Sequence, residues 1–433
     1  MRALVVGAAL SGIAISKLLV KKGYEVYLTD IKAIKEKEEL ETLGIKVYDG
    51  GHPDLLKELS YDLVIKNPGI KYDTPFIKDL VDAGYTILNE IDVALSFVSR
   101  YRYAAITGTN GKTTTTTLLS EILKRGERKS FACGNIGLPV SEIVLDNGDD
   151  DIDLAIEIAA FQLIAAPHFH PLVSVCMNLT PDHIDYFHDL DAYYEAKMLV
   201  YKNQRDDDWF LLNIDDEKII EHAKDIKCKV ITFSLEKKAD LMRDGDKITL
   251  FGKELFDVHN LRLPGKHNLY NAMVAACMAY KMGIATSDIK DAISKFKGVR
   301  HRLEYVDTID GVAFYNDSKG TNPDATKVAL SSFKEVILLA GGYDKKTGFK
   351  EIVPYLKHVK KMFVYGKTKY EIKKIYPEAV ICEDLKEATL RAKDAAGSGD
   401  VILLSPMCAS WDQFNNYEER GDYFVKLVES FRI

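Results

Sequence analysis

Ile106-Thr107-Gly108-Thr109-Asn110-Gly111-Lys112-Thr113-Thr114 is the stretch from which the fold can be read. An apolar run, Tyr103 to Ile106, precedes it and predicts a buried strand, and Thr113 to Lys124 predicts the helix that follows. Glycines between strand and helix let the chain turn tightly. Backbone N–H groups and the helix N-terminus then point at one place, which suits a nucleotide's phosphates. Lys112 is spaced to reach the β- and γ-phosphates, and the Thr113 hydroxyl to sit where Mg²⁺ bridges them. Gly108, Thr109, Asn110, Gly111 and Thr114 complete the cradle. The usual spacing, G-x-x-x-x-G-K-[ST], is not met, because Ile106 stands at the first glycine position. The motif is a shortened form. The plain alternative is a glycine-rich turn before an ordinary helix.

Upstream, Leu4-Val5-Val6-Gly7-Ala8-Ala9-Leu10-Ser11-Gly12 leads into a helical run ending near Lys22, and a second strand, Glu25 to Thr29, ends in Asp30. That is a βαβ start with G-x-A-x-x-G and an acid at about the distance of a ribose-binding carboxylate. It fits a nicotinamide dinucleotide, a nucleotide-sugar or a purely structural turn. The middle glycine, which lets a pyrophosphate approach the backbone, is here Ala9. Another strand, Asp62 to Lys66, runs into Asn67-Pro68-Gly69, a loop at the carboxyl end of a parallel sheet, where such folds put ligands.

Downstream, Cys133-Gly134-Asn135-Ile136-Gly137 reads as a ligand-facing turn. Asp153 to Ile158 predicts a strand with Glu157 inside an apolar run. An acid there needs a partner: a Mg²⁺ opposite Thr113, or a buried salt bridge. Leu172 to Leu179 predicts another strand, with His183 just beyond its end. Lys197 falls on a helix beginning near Leu190, where periodicity alone reads it as a solvated surface residue. Strands at Trp209 to Asn213 and Lys229 to Phe233 extend the central sheet, and Lys247 to Val258 predicts a small hairpin. Asn268 and Asn271, three apart on a helix running to Met282, share a face suited to a base or phosphates, or serve as helix caps. After Phe296-Lys297-Gly298, strands at Val312, Val336, Met362 and Val401 alternate with helices. Polar clusters follow three of them: Asn316 to Lys319, Gly341 to Lys345, and Ser405 to Ser410.

The fold class expected is therefore α/β in three domains: a Rossmann-like domain over residues 1–92, a central P-loop-type ATPase domain with a mostly parallel sheet over 93–297, and a Rossmann-like domain over 298–433. A length of 433 residues accommodates them. The net charge of −7 argues against a nucleic-acid binder. No apolar stretch approaches a membrane span, and Met1 runs directly into a strand, so a cytoplasmic enzyme without signal peptide or membrane partner is expected. The six cysteines are scattered, with no C-x-x-C, and read as buried thiols.

Taken together, these stretches resemble the Mur ligase family over essentially the whole chain. Thr107 to Thr113, Glu157, Asn178 to His183, Lys197, His267 to Asn271, His301-Arg302 and Asp317-Ser318-Lys319 look like its motifs, in its order. Ser405-Pro406-Met407-Cys408-Ala409-Ser410-Trp411-Asp412-Gln413-Phe414 with Arg420-Gly421-Asp422 is similar to the D-glutamate-adding branch. The resemblance implies an ATP-dependent amide ligase, acting through an acyl phosphate on UDP-N-acetylmuramoyl-L-alanine and D-glutamate, in peptidoglycan precursor synthesis. It implies catalytic roles for Lys112, His183, Lys197 and Lys319, and ATP contacts from Asn268, Asn271, Arg302 and Asp317. Leu10, Ser11, Asp30, Asn135 and His183 are implied for the uridine-sugar substrate, and Thr321, Lys345, Ser410 and Tyr417 for D-glutamate. Two Mg²⁺ sites are implied, one with Thr113 and Glu157, the other with His183 and a carbamylated Lys197. A monomer is expected. The chain departs from the family at Ala159 and Ala160, where two serines are usual, at Tyr417, often Phe, and at Met407, often Ala. Folylpolyglutamate synthase, a nicotinamide dehydrogenase and a non-catalytic nucleotide binder are the competing classes; they leave the N-terminal domain, Lys112, or Glu157 with His183 and Lys197, respectively, without a role.

Overall fold

Short apolar strands alternating with helices bury both faces of a sheet by pairing in parallel, with helices on either side. The computed structural model, which describes residues 1–180, 187, 189–343 and 348–432, contains three such sheets. The chain divides into two compact units, Met1–Asp257 with Asn271–Ala292, and Val258–Tyr270 with Ile293–Ile433.

In the first unit, β1 (Arg2–Val6), β2 (Glu25–Thr29), β3 (Lys46–Tyr48), β4 (Leu63–Lys66) and β5 (Ile87–Leu88) form a parallel sheet ordered β3-β2-β1-β4-β5. Alternation along β1 assigns Leu4 and Val6 to one core, with Tyr27, Phe76 and Leu80, and Ala3 and Val5 to another. That second core continues without a break through Ile15, Ile91, Ala105, Val140 and Ile156 into the next sheet.

The next sheet comprises β6 (Tyr101–Thr107), β7 (Lys129–Gly134), β8 (Ile152–Glu157), β9 (Val173–Cys176), β10 (Trp209–Asn213), β11 (Lys229–Ser234), β12 (Leu241–Asp244), β13 (Lys247–Leu250) and β14 (Lys253–Asp257). Its order is β14-β13-β12-β11-β10-β9-β6-β8-β7, antiparallel only at the two pairings of β13. β6 thus lies between β9 and β8, and the loop after it opens between their ends. β9 stops short of the expected Leu179, because Met177 N already bonds Thr107 O and the chain turns to follow the loop. β7 and β12 are strands that the apolar pattern does not announce. β7 is an edge strand buried at Cys133 alone, and the last two residues of β12 are exposed.

The second unit holds β15 (Glu304–Ile309), β16 (Val312–Asn316), β17 (Val336–Gly341), β18 (Val359–Tyr365), β19 (Val380–Ile381) and β20 (Val401–Leu404), ordered β15-β16-β20-β17-β18-β19. Only β15, an edge strand the sequence also does not announce, is antiparallel to its neighbour. One core lies on each face. The helices that bear on function are α1 (Leu10–Lys21), α2 (Glu90–Leu95), α3 (Lys112–Leu123), α4 (Val140–Asn147), α5 (Leu190–Met198), α6 (Lys266–Lys281) and α7 (Tyr417–Glu429). Among the described residues, no helix is long and apolar enough to cross a membrane.

Candidate active site

The loop between β6 and α3 is built around glycine. Gly108 and Gly111 have φ of +130° and +85°, and a Cβ on Gly111 would stand 2.5 Å from Asn271 Oδ1. Any side chain would push the loop off its seat. The extended end of β9 clamps it: Asn110 N donates to Asn178 Oδ1 (2.8 Å), Asn178 Nδ2 donates to Asn110 O (3.0 Å), and Thr109 N donates to Asn178 O (3.0 Å). Lys112 folds over the loop, its ammonium 2.9 Å from both Gly108 O and Thr109 O. Thr113 and Thr114 follow in the first turn of α3, half-buried. Asn271, on α6, is buried against Gly111 and accepts from Thr115 Oγ1 at 3.3 Å. Asn268, in the first turn of the same helix, donates its side-chain amide to Pro264 O (2.7 Å); that is not the cap the sequence left open, since an N-cap oxygen accepts from a backbone N–H.

Glu157 ends β8 in register with Ile106 and is 2% exposed. Its Oε1 accepts from Asn135 Nδ2 (2.9 Å), while Oε2, buried, has no hydrogen-bond partner among the described residues. Among the described residues, no ion pair involves this carboxylate. A buried carboxylate oxygen with no donor, one strand away from a loop that ends in a threonine hydroxyl, fits a hard oxygen-seeking cation such as Mg²⁺. Lys197 is not solvated, contrary to the periodicity reading. It is 2% exposed, its Nζ 2.8 Å from Gly108 O and 4.5 Å from the centre of the Tyr193 ring. α5 therefore delivers an amine to the back of the phosphate loop.

Two cavities open at the carboxyl end of the first sheet, where the strand order reverses between β1 and β4. The larger, about 940 Å³, is lined by Gly7, Ala8, Asp30, Lys32, His52 and Phe76 among others. Asp30 braces its loop: Oδ2 accepts from Ala8 N (2.7 Å) and Oδ1 from Lys32 N (2.8 Å). His52 stacks on Phe76 at 4.3 Å between centroids, a wall without any sequence signal. The smaller, about 440 Å³, is lined by Leu10, Ser11, Glu90, Asn135 and Gln162. Asn67 and Gly69 line both, as the position of their loop predicts.

In the second unit the polar clusters after β16, β17 and β20 meet. Tyr343 and Ala409 exchange backbone hydrogen bonds of 2.8 and 3.0 Å, tying the β17 loop to the β20 loop. Arg420, fully buried on α7, ties the β20 loop to the β16 loop: it donates to Ser318 Oγ (2.9 Å), Ser318 O (2.8 Å) and Cys408 O (3.1 Å). Sequence marks Arg420 as part of a motif without showing this fastening role. Asp317 is buried, accepting from Ser405 Oγ (2.7 Å) and Leu303 N (3.2 Å), and burial pushes its carboxyl up to about 7 against those bonds. Lys319 is exposed, its backbone N bonded to His301 O (2.9 Å) and its ammonium 5.8 Å from the centre of the Tyr417 ring. Arg302 is exposed, Thr321 half-buried and Ser410 2% exposed. Tyr417 opens α7 with its ring edge-on to His301 at 6.1 Å. His183 and Lys345 lie outside the described residues.

His301, buried with φ +63°, leaves no room for a Cβ on Gly421, which would stand 2.1 Å from its Nδ1. Gly421→Ala is expected to destabilise the protein by about 1–3 kcal/mol, seen as a lowered midpoint in denaturant with the slope unchanged. An unchanged midpoint would mean that the ring moves aside freely.

Residues 106–279 match the Mur ligase middle domain, and residues 301–408 match the glutamate ligase domain of Mur ligases. A UDP-N-acetylmuramoylalanine–D-glutamate ligase of Lactobacillus acidophilus is 41% identical over 99% of this chain and 97% of its own length. One of the same name from a Geobacillus species is 39% identical over 100% of this chain and 98% of its own. Among solved structures, the UDP-N-acetylmuramate–alanine ligase of Thermotoga maritima superposes with a TM-score of 0.58 at 19% identity, covering 99% of both chains. The MurF ligase of Thermotoga maritima, in complex with ADP, gives 0.60 at 17% identity, covering 93% of this chain and 95% of its own. These two likenesses speak for the fold. Identity of this order along the whole length, with both domains matched in sequence order, makes this chain a member of the Mur ligase family.

Proposed function

We propose that this chain joins D-glutamate to UDP-N-acetylmuramoyl-L-alanine, cleaving ATP to ADP and phosphate, as a monomeric cytoplasmic enzyme of peptidoglycan precursor synthesis. The observation that carries this reading is the near-full-length identity to relatives bearing that activity in their names. It is supported by the clamped phosphate loop with Lys112 upon it and Glu157 beside it. Three domains, 1–92, 93–297 and 298–433, are proposed to take the uridine nucleotide, ATP and D-glutamate respectively.

In the proposed reaction the γ-phosphoryl group passes to the substrate carboxylate, giving an acyl phosphate. The amine of D-glutamate then attacks the carbonyl carbon, and phosphate leaves. Phosphoryl transfer asks the protein for position and charge neutralisation rather than covalent help. The N–H groups of Gly108 to Thr113 and the Lys112 ammonium hold the triphosphate, and by family similarity Asn268, Asn271, Arg302, Asp317 and Lys319 complete the ATP contacts. Thr113 and Glu157 are proposed to hold one Mg²⁺, and His183 with a carbamylated Lys197 a second. Mg²⁺, when bound, neutralises charge on the phosphate oxygens. Leu10, Ser11, Asp30 and Asn135 are assigned to the uridine-sugar substrate. Thr321, Lys345, Ser410 and Tyr417 are assigned to D-glutamate, with Lys345 as counter-charge to a carboxylate. Polar groups of this kind reject substrates that lack their partners, because the groups are then left unpaired.

Phosphate release measured with ATP and UDP-N-acetylmuramoyl-L-alanine tests the proposal. It should depend on D-glutamate, and equal turnover of L-alanine or L-lysine would show the assignment to be wrong.

The positions of the missing serines separate in the structure. Ala159 is 7% exposed, two residues past Glu157, whereas Ala160 is 1% exposed inside the apolar core. A neutral hydrogen bond is worth about 0.5–1.5 kcal/mol. Ala159→Ser should therefore raise kcat/KM severalfold. Ala160→Ser should lower stability by about 1–3 kcal/mol, since its hydroxyl enters the core unpartnered. Steady-state kinetics and denaturant titration of both variants check this; the reverse pattern would mean that the hydroxyl is wanted at 160.

A further inference from the structure

Glu90 is a buried carboxyl to which the reaction described so far gives no role. It opens α2 at 5% exposure and lines the smaller cavity together with Leu10, Ser11 and Asn135. One carboxyl oxygen accepts the Ser141 N–H in the first turn of α4. No cation pairs with it among the described residues. Burial pushes it up to about 7, far above an ordinary glutamate, with the Ser141 bonds as the opposing influence. Among the described residues, only burial and Ser141 bear on its titration. β7 presents Cys133, whose own thiol burial raises well above its usual range; α4 presents Ser141; the start of α1 presents Leu10 and Ser11. Asp92, two residues on, is turned to the His168 N–H.

Three of the residues assigned above to the uridine-sugar substrate, Leu10, Ser11 and Asn135, line this cavity, and that substrate is an anion rich in acceptor oxygens. An ionised carboxylate in its wall would repel such a ligand, and one of the two N–H donors of the Asn135 amide is given to Glu157. We propose that Glu90 is a binding residue for the sugar nucleotide, presenting a protonated carboxyl that donates a hydrogen bond to an acceptor oxygen of the ligand. The inference rests on the substrate reading above and adds to it a linkage: binding takes up a proton whenever Glu90 is ionised in the free protein. The sign follows directly. A nearby anion holds the proton more tightly, so affinity is full below the free group's titration and falls as pH rises through it.

Calorimetric titration of UDP-N-acetylmuramoyl-L-alanine into the full-length protein, without ATP, tests this in two buffers of different ionisation enthalpy. For the wild type, Kd should weaken about tenfold between about pH 6.5 and about pH 8.5, with uptake approaching one proton per ligand at the higher pH. Glu90→Gln keeps the acceptor for Ser141 and a donor for the ligand but cannot titrate; its Kd should be flat with pH and its binding free of that uptake. Wild-type binding without proton uptake, or the same uptake and pH dependence in Glu90→Gln, overturns the role of Glu90 alone. Failure of both proteins to bind the nucleotide overturns the substrate reading, and this inference with it.

Discussion

Lys112→Ala lowers ATP-dependent phosphate release by about 10²–10³-fold or more while the protein stays folded; that is the largest effect expected of any single change here. The ammonium lies on the loop carbonyls of Gly108 and Thr109, which in the proposed reaction it would exchange for phosphate oxygens. The buried face of α3 is made by Thr115, Leu118, Leu119, Ile122 and Leu123, whereas Lys112 is only half-buried. Lys112→Arg should not restore the rate, because a planar fork does not replace a compact charge among converging N–H groups. Rapid-quench measurement of ADP formation, beside thermal unfolding of the same variant, checks both halves. A folded Lys112→Ala protein turning over near the wild-type rate would remove the phosphate role from this loop.

The second large effect belongs to Lys197. If its amine adds CO₂, losing one proton to form a carbamate, it gains the oxygen ligands that Mg²⁺ prefers. The amine is held 2.8 Å from Gly108 O, close to the loop that would carry the nucleotide. Lys197→Ala should cost about 10²-fold or more in kcat. Acetate or formate should restore part of it, since a small carboxylate can enter the space left by the side chain. The rescue distinguishes a carbamate from a simple brace, because a carboxylate cannot donate to Gly108 O. Loss without rescue, together with intact-protein mass spectra showing only unmodified lysine in active enzyme, would leave Lys197 as a brace for the loop.

Several features of the candidate site were legible because they are local. The phosphate loop declares itself within nine residues, since the turn, the helix start and the lysine are all set by neighbours in the chain. Glu157 stands out because one acid in an apolar strand needs an explanation, and among the described residues its Oε2 has no hydrogen-bond partner. The loop Asn67-Pro68-Gly69 was placed by topology alone, through the rule that such sheets bind at their carboxyl ends, and it does line both cavities. Edge strands β7 and β15 were not legible, because a strand with one open side carries a weaker apolar pattern.

What the sequence determined by itself is therefore the α/β class, the glycine-built loop between β6 and α3 and the family, all of which depend on residue type and short-range order. Only tertiary structure decided what the isolated polar side chains touch. Lys197 meets Gly108 across 89 residues, Asn178 meets Asn110 across 68, and Arg420 meets Ser318 across 102. Glu90 acquires its unusual carboxyl from the core that closes over it and its contact from Ser141, 51 residues away. Periodicity reports which way a side chain points from its own helix or strand. It carries no information about which distant segment is waiting there, and burial and charge are set by that segment.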